Sequence, residues 1–229
     1  MALSLDTTAR LEEALSHTQI RVGAFAQSAP SRPTGWAELD ALLPDGGLPH
    51  GVVELACHST PARAAAFAGA TGIAVRAIAN AHANDARSLA AWLDSTQSLH
   101  APGLLQNGID VERLLVVRPE PALLGRVAVK LVGSGAFDVI VVDLDGDHLP
   151  NRGREAPELV VRKLALAAES SGATVMLLTE PARSPKRIVP WPVAMRLDVA
   201  RHEDSLSLSI PKERRGRIRT SPIELRIGA

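Results

Sequence analysis

The residues best placed for chemistry follow the run Val52–Ala56, in CHSTPARAAAF, residues 57–67. A strand-like run leading into a helix opened by a basic residue, Arg63, is where a phosphate-binding loop would sit. Such a loop needs glycines so that backbone N–H groups can wrap the phosphates, a lysine for the β- and γ-phosphates, and a Ser or Thr hydroxyl for Mg²⁺. The stretch has no glycine, no lysine, and no Ser or Thr after its one basic residue: Arg63 is that residue, Ala64 follows it, and Pro61 removes one backbone N–H. Arg63 at a helix N-terminus could still meet an anion, or simply be a surface arginine at a helix start. Cys57 and His58 make a poor nucleophilic pair, since adjacent residues rarely face each other and no acid stands ready to orient the histidine.

A second acidic position is Asp143, at the end of VIVV, with Asp145 and Asp147 beyond it. Alternate residues of a strand point to opposite faces, so these three converge on a metal only if the chain turns after Asp143. A solvated acidic turn is the simpler reading, and the histidines lack zinc-ligand spacing.

The third constellation is basic. PKERRGRIRT carries Lys212, Arg214, Arg215, Arg217 and Arg219, SPKR adds Lys186 and Arg187, and a third loop adds Arg152 and Arg154. Residues 181–229 hold 11 of the 25 Lys and Arg but only five of the 25 Asp and Glu, so a basic tail region sits on an acidic body. That asymmetry points to phosphate or acidic-peptide contacts; the bland alternative is a hairpin edge blunted by charge.

The elements that must hold these groups alternate. Short apolar runs at Val52–Ala56, Leu89–Leu93, Leu114–Val117, Val139–Val142 and Thr174–Leu178 read as strands. Helices are expected at Trp36–Leu43, from Ala62 to about Ala83, at Pro121–Val132 and at Pro157–Ser170. Continuous apolar strands between helices imply an α/β fold with a mainly parallel sheet covered on both faces. MRLDVARHEDSLSLSI reads as an antiparallel hairpin around HEDS, and IELRI as a last strand, giving a C-terminal antiparallel extension. A helix at residues 7–19 and a Ser/Pro-rich linker form an N-terminal arm, residues 1–32, ahead of a core domain, residues 33–229.

Composition narrows the function. With 46% hydrophobic residues and 22% charged, the chain can bury a core. At 3% aromatic and no Tyr, few rings remain for base stacking. One cysteine excludes an intramolecular disulfide. The N-terminal stretch resembles no secretory leader and no apolar run is long enough to span a membrane, so a cytoplasmic location is expected.

Four collinear segments carry a family resemblance: PTGWAELDALLPDGGLPHGVVEL, AAWLDSTQSL, GIDVERLLVVRPE and SGAFDVIVVDLDGDHLP, over residues 33–150, with a weaker likeness in PKERRGRIRTSPIELRI. Together they resemble the core of bacterial RecA, a P-loop NTPase fold. In that register Cys57 takes the place of the first P-loop glycine and Ala62 that of the glycine before the lysine. Arg63 stands at the lysine, Ala64 at the Mg²⁺-binding hydroxyl and Thr96 at the catalytic glutamate. Asp143 alone remains, as the Walker B aspartate. The resemblance thus implies a RecA fold without ATP hydrolysis and without a nucleotide cofactor.

Among RecA-like proteins lacking the ATPase, the chain resembles the ImuA family most, accessory factors of a damage-inducible translesion-synthesis cassette. The implied partners are an ImuB-like polymerase factor, RecA and single-stranded DNA; the N-terminal arm could dock on another copy, on RecA or back on its own core. The alternatives are a SulA-like division inhibitor that binds FtsZ and an ATPase-deficient RecA paralogue that binds DNA.

Overall fold

The computed structural model describes residues 31–57, 63–95, 97–144, 157–179 and 191–227. The expected N-terminal helix and most of the arm lie outside them, as do Asp145, Asp147 and His148.

The strands are β1 (Ser31–Arg32), β2 (Leu48–Pro49), β3 (Gly51–Cys57), β4 (Ala90–Asp94), β5 (Leu114–Val117), β6 (Val139–Leu144), β7 (Thr174–Thr179), β8 (Met195–Arg201), β9 (Ser205–Glu213) and β10 (Arg219–Arg226). The α-helices are α1 (Ala37–Leu42), α2 (Arg63–Asn84), α3 (Ala101–Gln106), α4 (Leu124–Gly133) and α5 (Pro157–Ser171). Eight strands form one sheet in the order β10-β9-β8-β3-β7-β6-β4-β5. From β8 to β5 every pairing is parallel, while β8–β9 and β9–β10 are antiparallel. This is the expected architecture, with its antiparallel extension at one edge.

Burial follows the residue patterns. Every residue of β3, β4, β6 and β7 is buried, as unbroken apolar runs require when helices cover both faces. On one face Val53, Leu55, Trp92, Val141 and Met176 pack with Ile73, Ala74 and Ile78 of α2. On the other, Val52, Leu93, Val142 and Leu177 pack with Leu124 and Ala128 of α4 and Val161 and Leu164 of α5. The outer strands alternate instead: Met195, Leu197 and Val199 of β8 and Leu206, Leu208 and Ile210 of β9 turn inward. α2 crosses this hairpin closely. A Cβ on Gly69 would come within 2.8 Å of a Leu206 methyl and 3.0 Å of a Val199 methyl, so a side chain there would require these neighbours to shift.

The PTGWAELD segment proves to be a turn closed on the helix that follows it. Asp40 of α1 accepts hydrogen bonds from the Thr34 amide (2.8 Å), the Thr34 hydroxyl (2.8 Å) and the Gly35 amide (3.1 Å). The Arg76 guanidinium lies over the Trp36 ring at 5.3 Å, tying the turn to α2.

One helix end stores a penalty. His82, in the last turn of α2, is 4% exposed, and neither ring nitrogen has a hydrogen-bond partner. The Arg113 guanidinium donates to the His82 and Asp85 carbonyls and to the Asp110 carboxylate. Burial, and then Arg113, hold the imidazole below its ordinary value of 6.5, with Asp110 opposing weakly. The folded state therefore disfavours the protonated ring. Stability is unaffected above pH 6.5 and falls as the pH drops below it, because the unfolded chain binds the proton more readily. His82→Leu should flatten that slope between about pH 5 and 7. It should also raise stability by about 1–3 kcal/mol through removal of a buried unsatisfied group. Thermal melts of both proteins across this range check it; an unchanged slope would mean that His82 does not titrate on unfolding.

Candidate functional site at the mouth of the sheet

Ligands of open α/β sheets bind beyond the C-terminal ends of the strands. Here β3, β7, β6 and β4 end side by side. Asp94 pairs in register with Asp143, Asp143 with Leu178, and Leu178 with Leu55.

At the end of β3, Cys57 is still part of the strand, paired with Val199 of β8, wholly buried and packed in the core. Where the resemblance puts a loop glycine, the strand runs on. Arg63 is the first residue of α2 and Ala64 the second. Ala62 and Pro61 lie outside the described residues, as does Thr96.

The residues flanking Thr96 show how β4 ends. Asp94, fully buried, accepts hydrogen bonds from the Ser98 amide (2.9 Å) and the Leu99 amide (3.2 Å), and pairs with the Arg118 guanidinium at 3.3 Å. Gln97 takes a left-handed conformation, φ 58°. The carboxylate of Asp94 is thus spent on folding the turn. Asp143 is 8% exposed, and its carbonyl accepts from the Ser95 hydroxyl at 3.4 Å.

A second buried network lies one rung below, on the side of the sheet covered by α4 and α5. Glu54, in the central strand, is 2% exposed. The Thr179 hydroxyl donates to it at 3.0 Å, and Arg196 Nη1 stands 3.5 Å from both its oxygens. Arg196 Nε also donates to Asp198 at 2.7 Å. The hydroxyl that ends β7 therefore points into the protein's own network. Sequence reasoning missed Asp94, Glu54 and Arg196. The signal for Glu54 was available: a carboxylate inside an unbroken apolar strand must have a partner.

The basic tail is largely engaged. Lys212 Nζ donates to the Trp191 carbonyl, and burial pushes its pKa down against the pull of Glu54. Arg217 grips both oxygens of Asp45, at 2.9 and 2.6 Å, and reaches Glu213 at 3.2 Å. These hydrogen bonds, Asp45 first and then Glu213, raise the Arg217 pKa further. Arg215 lies 3.7 Å from Asp45 and gives its amide to Glu213. Arg214, Arg215 and Arg219 are exposed, and of the three only Arg215 is ion-paired among the described residues. Arg152, Arg154, Lys186 and Arg187 lie outside the described residues. No group of three potential metal ligands gathers among the described residues, and no described helix is long and apolar enough to cross a membrane.

What this mouth offers is a strand end without a loop glycine and carboxylates committed to turns and internal pairs. The chain matches the family model for the RecA N-terminal domain over residues 16–159. It is 30% identical over 210 residues to Protein RecA of Frankia alni, covering 79% of this chain and 56% of that one. It is 32% identical over 166 residues to Protein RecA of Nocardia farcinica and of Mycolicibacterium smegmatis, covering 65% of this chain and 44% of each relative. The chain thus spans about half the length of the curated relatives it matches.

Proposed function

The chain belongs to the RecA family, and from that premise we propose that it is a non-catalytic member, an adaptor in damage-induced translesion synthesis that docks polymerase factors and RecA. The observation that carries the reading is the end of β3. Cys57 is buried strand where a phosphate loop would begin, and the basic residue after it is Arg63, followed by Ala64. Asp94 and Thr179, two polar groups at the neighbouring strand ends, are turned to internal bonds. Two apolar layers hold the fold, which supports a reading in which its stability needs no nucleotide.

A single-stranded DNA contact belongs to the same proposal and rests on the exposed Arg214 and Arg219, with the loops bearing Arg152, Arg154, Lys186 and Arg187. Self-association through the N-terminal arm is supported by the edge strand β5. Its sequence, LLVV, carries no charge or proline, and Leu115 and Val116 are exposed, whereas the opposite edge, β10, is guarded by Arg219, Pro222, Glu224 and Arg226.

Two experiments test the reading. Adding ATP and Mg²⁺ should leave the melting temperature unchanged. Ligand at 100 times its Kd would stabilise by about 2.7 kcal/mol, or roughly 5–10 °C for a chain of this length, so a rise of that size would show nucleotide binding and overturn the reading of a fold that stands without nucleotide. Tagged protein recovered from DNA-damaged cells should bring down an ImuB-like polymerase factor or RecA, in excess over undamaged cells. Recovery of FtsZ instead would assign the fold to division arrest.

A further inference from the structure

The inner side of β5 pairs with β4, and among the described residues nothing pairs with its outer side. The apolar groups around this edge reach the surface. Leu115 and Val116 of the strand are exposed, and so is Val111 in the short 3-10 turn, Val111–Arg113, that leads into it. An edge with neither charge nor proline is a template for another strand, and soluble proteins cover or guard such edges. The sequence around β5 says which strand fits.

It fits a second copy of itself. Two identical strands pair antiparallel about a two-fold axis, and the pleat limits how they do so. Residues opposite each other must point to the same face of the sheet, while successive side chains alternate between faces. The axis must therefore pass through a residue and not between two. Centred on Leu115, that residue meets its own copy, Leu114 meets Val116 twice, and Glu112 comes opposite Arg118 at both ends. Arg113 comes opposite Val117, but its guanidinium turns back to the His82 and Asp85 carbonyls of its own chain. Centred on Val116, Leu114 would face Arg118 and Glu112 would face Glu120. Centred on Leu114, Glu112 would face Val116. Only the Leu115 register sets apolar against apolar and opposite charge against opposite charge, and Glu112 and Arg118 are both exposed.

The same register covers a cleft. Leu99, Ala101, Leu104, Val116 and Arg118 line a hollow of about 250 Å³ between α3 and the edge. Leu114 and Glu112 of the second copy come to its rim, beside Val116 and Arg118.

We propose that β5 is a self-complementary edge through which two copies of this chain join their sheets, antiparallel about a two-fold axis at Leu115. This goes beyond the adaptor reading, which offers the edge to an N-terminal arm; a second β5 and an arm cannot hold it at once.

Sedimentation of the full chain should show a dimer at concentrations on the order of 100 µM, as so small an interface allows. Leu115→Lys sets two like charges face to face on the axis and should weaken the dimer at least about 30-fold, while the dilute protein melts as the parent does. Glu112→Arg puts an arginine opposite Arg118 at both ends and should weaken it about ten-fold. The decisive variant is Leu115→Cys. Directly opposed residues of an antiparallel pair lie about 4.5–5.5 Å apart at Cα, within disulfide reach. Cys57 is buried, so copper-phenanthroline should link Leu115→Cys into a covalent dimer and leave Val117→Cys, four residues off its own copy, unlinked. The proposal is overturned if the full chain stays monomeric, if Leu115→Lys dimerises like the parent, or if a dimer forms that Leu115→Cys does not link. A tighter dimer in Glu112→Arg would move the axis to Val116 and overturn the register. None of these results bears on the recovery of a polymerase factor or RecA from damaged cells, so the adaptor reading stands or falls separately.

Discussion

Arg196→Ala should cost roughly 3 kcal/mol of folding stability, the low end of the ~3–5 kcal/mol range for breaking a buried pair. The low end applies because the Arg196 side chain is 25% exposed, whereas that of Glu54 is only 3% exposed. The guanidinium lies against two carboxylates, Glu54 at 3.5 Å and Asp198 at 2.7 Å, on neighbouring parallel strands. Without it, Asp198 at 22% exposure can draw on water, but Glu54 cannot. The penalty therefore arises from Glu54, and this can be isolated. Glu54→Gln keeps an acceptor for the Thr179 hydroxyl and removes the charge, so Glu54→Gln/Arg196→Ala should be more stable than Arg196→Ala alone. Urea unfolding of the four proteins closes the cycle. If the double variant is the less stable, the loss comes from packing of the arginine stem and not from the charge of Glu54. Arg196→Lys should recover only part of the loss, because a single ammonium cannot serve Glu54 and Asp198 in the fixed geometry of a guanidinium fork.

The same network marks the limit of what could be read without coordinates. The runs VIVV and TVMLL announced buried strands, and both are buried throughout. The alternation in MRLDVA and SLSLSI announced one-sided strands, and their odd and even residues divide accordingly. These signals are local, carried by residues two or four apart. The helix α3 left none, being six residues long and opening on Ala-Pro-Gly; nor did the ribbon of β1 and β2, only two rungs long. Arg196 and Glu54 are 142 residues apart, and Asp45 and Arg217 are 172 apart. Charge shows that a partner is needed and is silent on which one. So the departures at Cys57, Arg63 and Ala64 were legible as residue types, whereas the internal use of Asp94, Glu54 and Thr179 required the sheet register to bring strand ends together.

That limit matters most for PKERRGRIRT, where five basic residues in ten resemble a phosphate-binding patch. The side chains divide into two groups with opposite expectations. Arg217 closes the β9–β10 hairpin onto the turn before β2 through Asp45, which is 10% exposed, and Glu213, which is 2% exposed. Arg217→Ala should cost about 2 kcal/mol, more than an exposed pair and less than a wholly buried one, since Arg217 itself is 37% exposed. Part of that loss should depend on acid. Burial pushes the Glu213 carboxyl up, but the hydrogen bonds from Arg217 and from the Arg217 and Arg215 amides outweigh it, leaving the pKa below its ordinary 4.5. The stabilisation from Glu213 is therefore complete above pH 4.5 and lost as the pH falls through the lowered value. Arg217→Ala should shrink that acid-sensitive share. Arg214 and Arg219 are the contrast. Exposed on the same hairpin, each replaced by Ala should leave stability within about 0.5 kcal/mol. If the tail meets single-stranded DNA, each should lower the slope of log affinity against log salt by about 0.7. Melting curves and salt titrations on the three single variants separate the roles. An Arg217→Ala protein that melts like the parent but loses DNA would make Arg217 an interface residue and the Asp45 clamp an incidental contact. A protein that melts early, beside Arg214→Ala and Arg219→Ala variants that keep their fold and bind less DNA, would place phosphate contacts on Arg214 and Arg219 and leave Arg217 a structural residue.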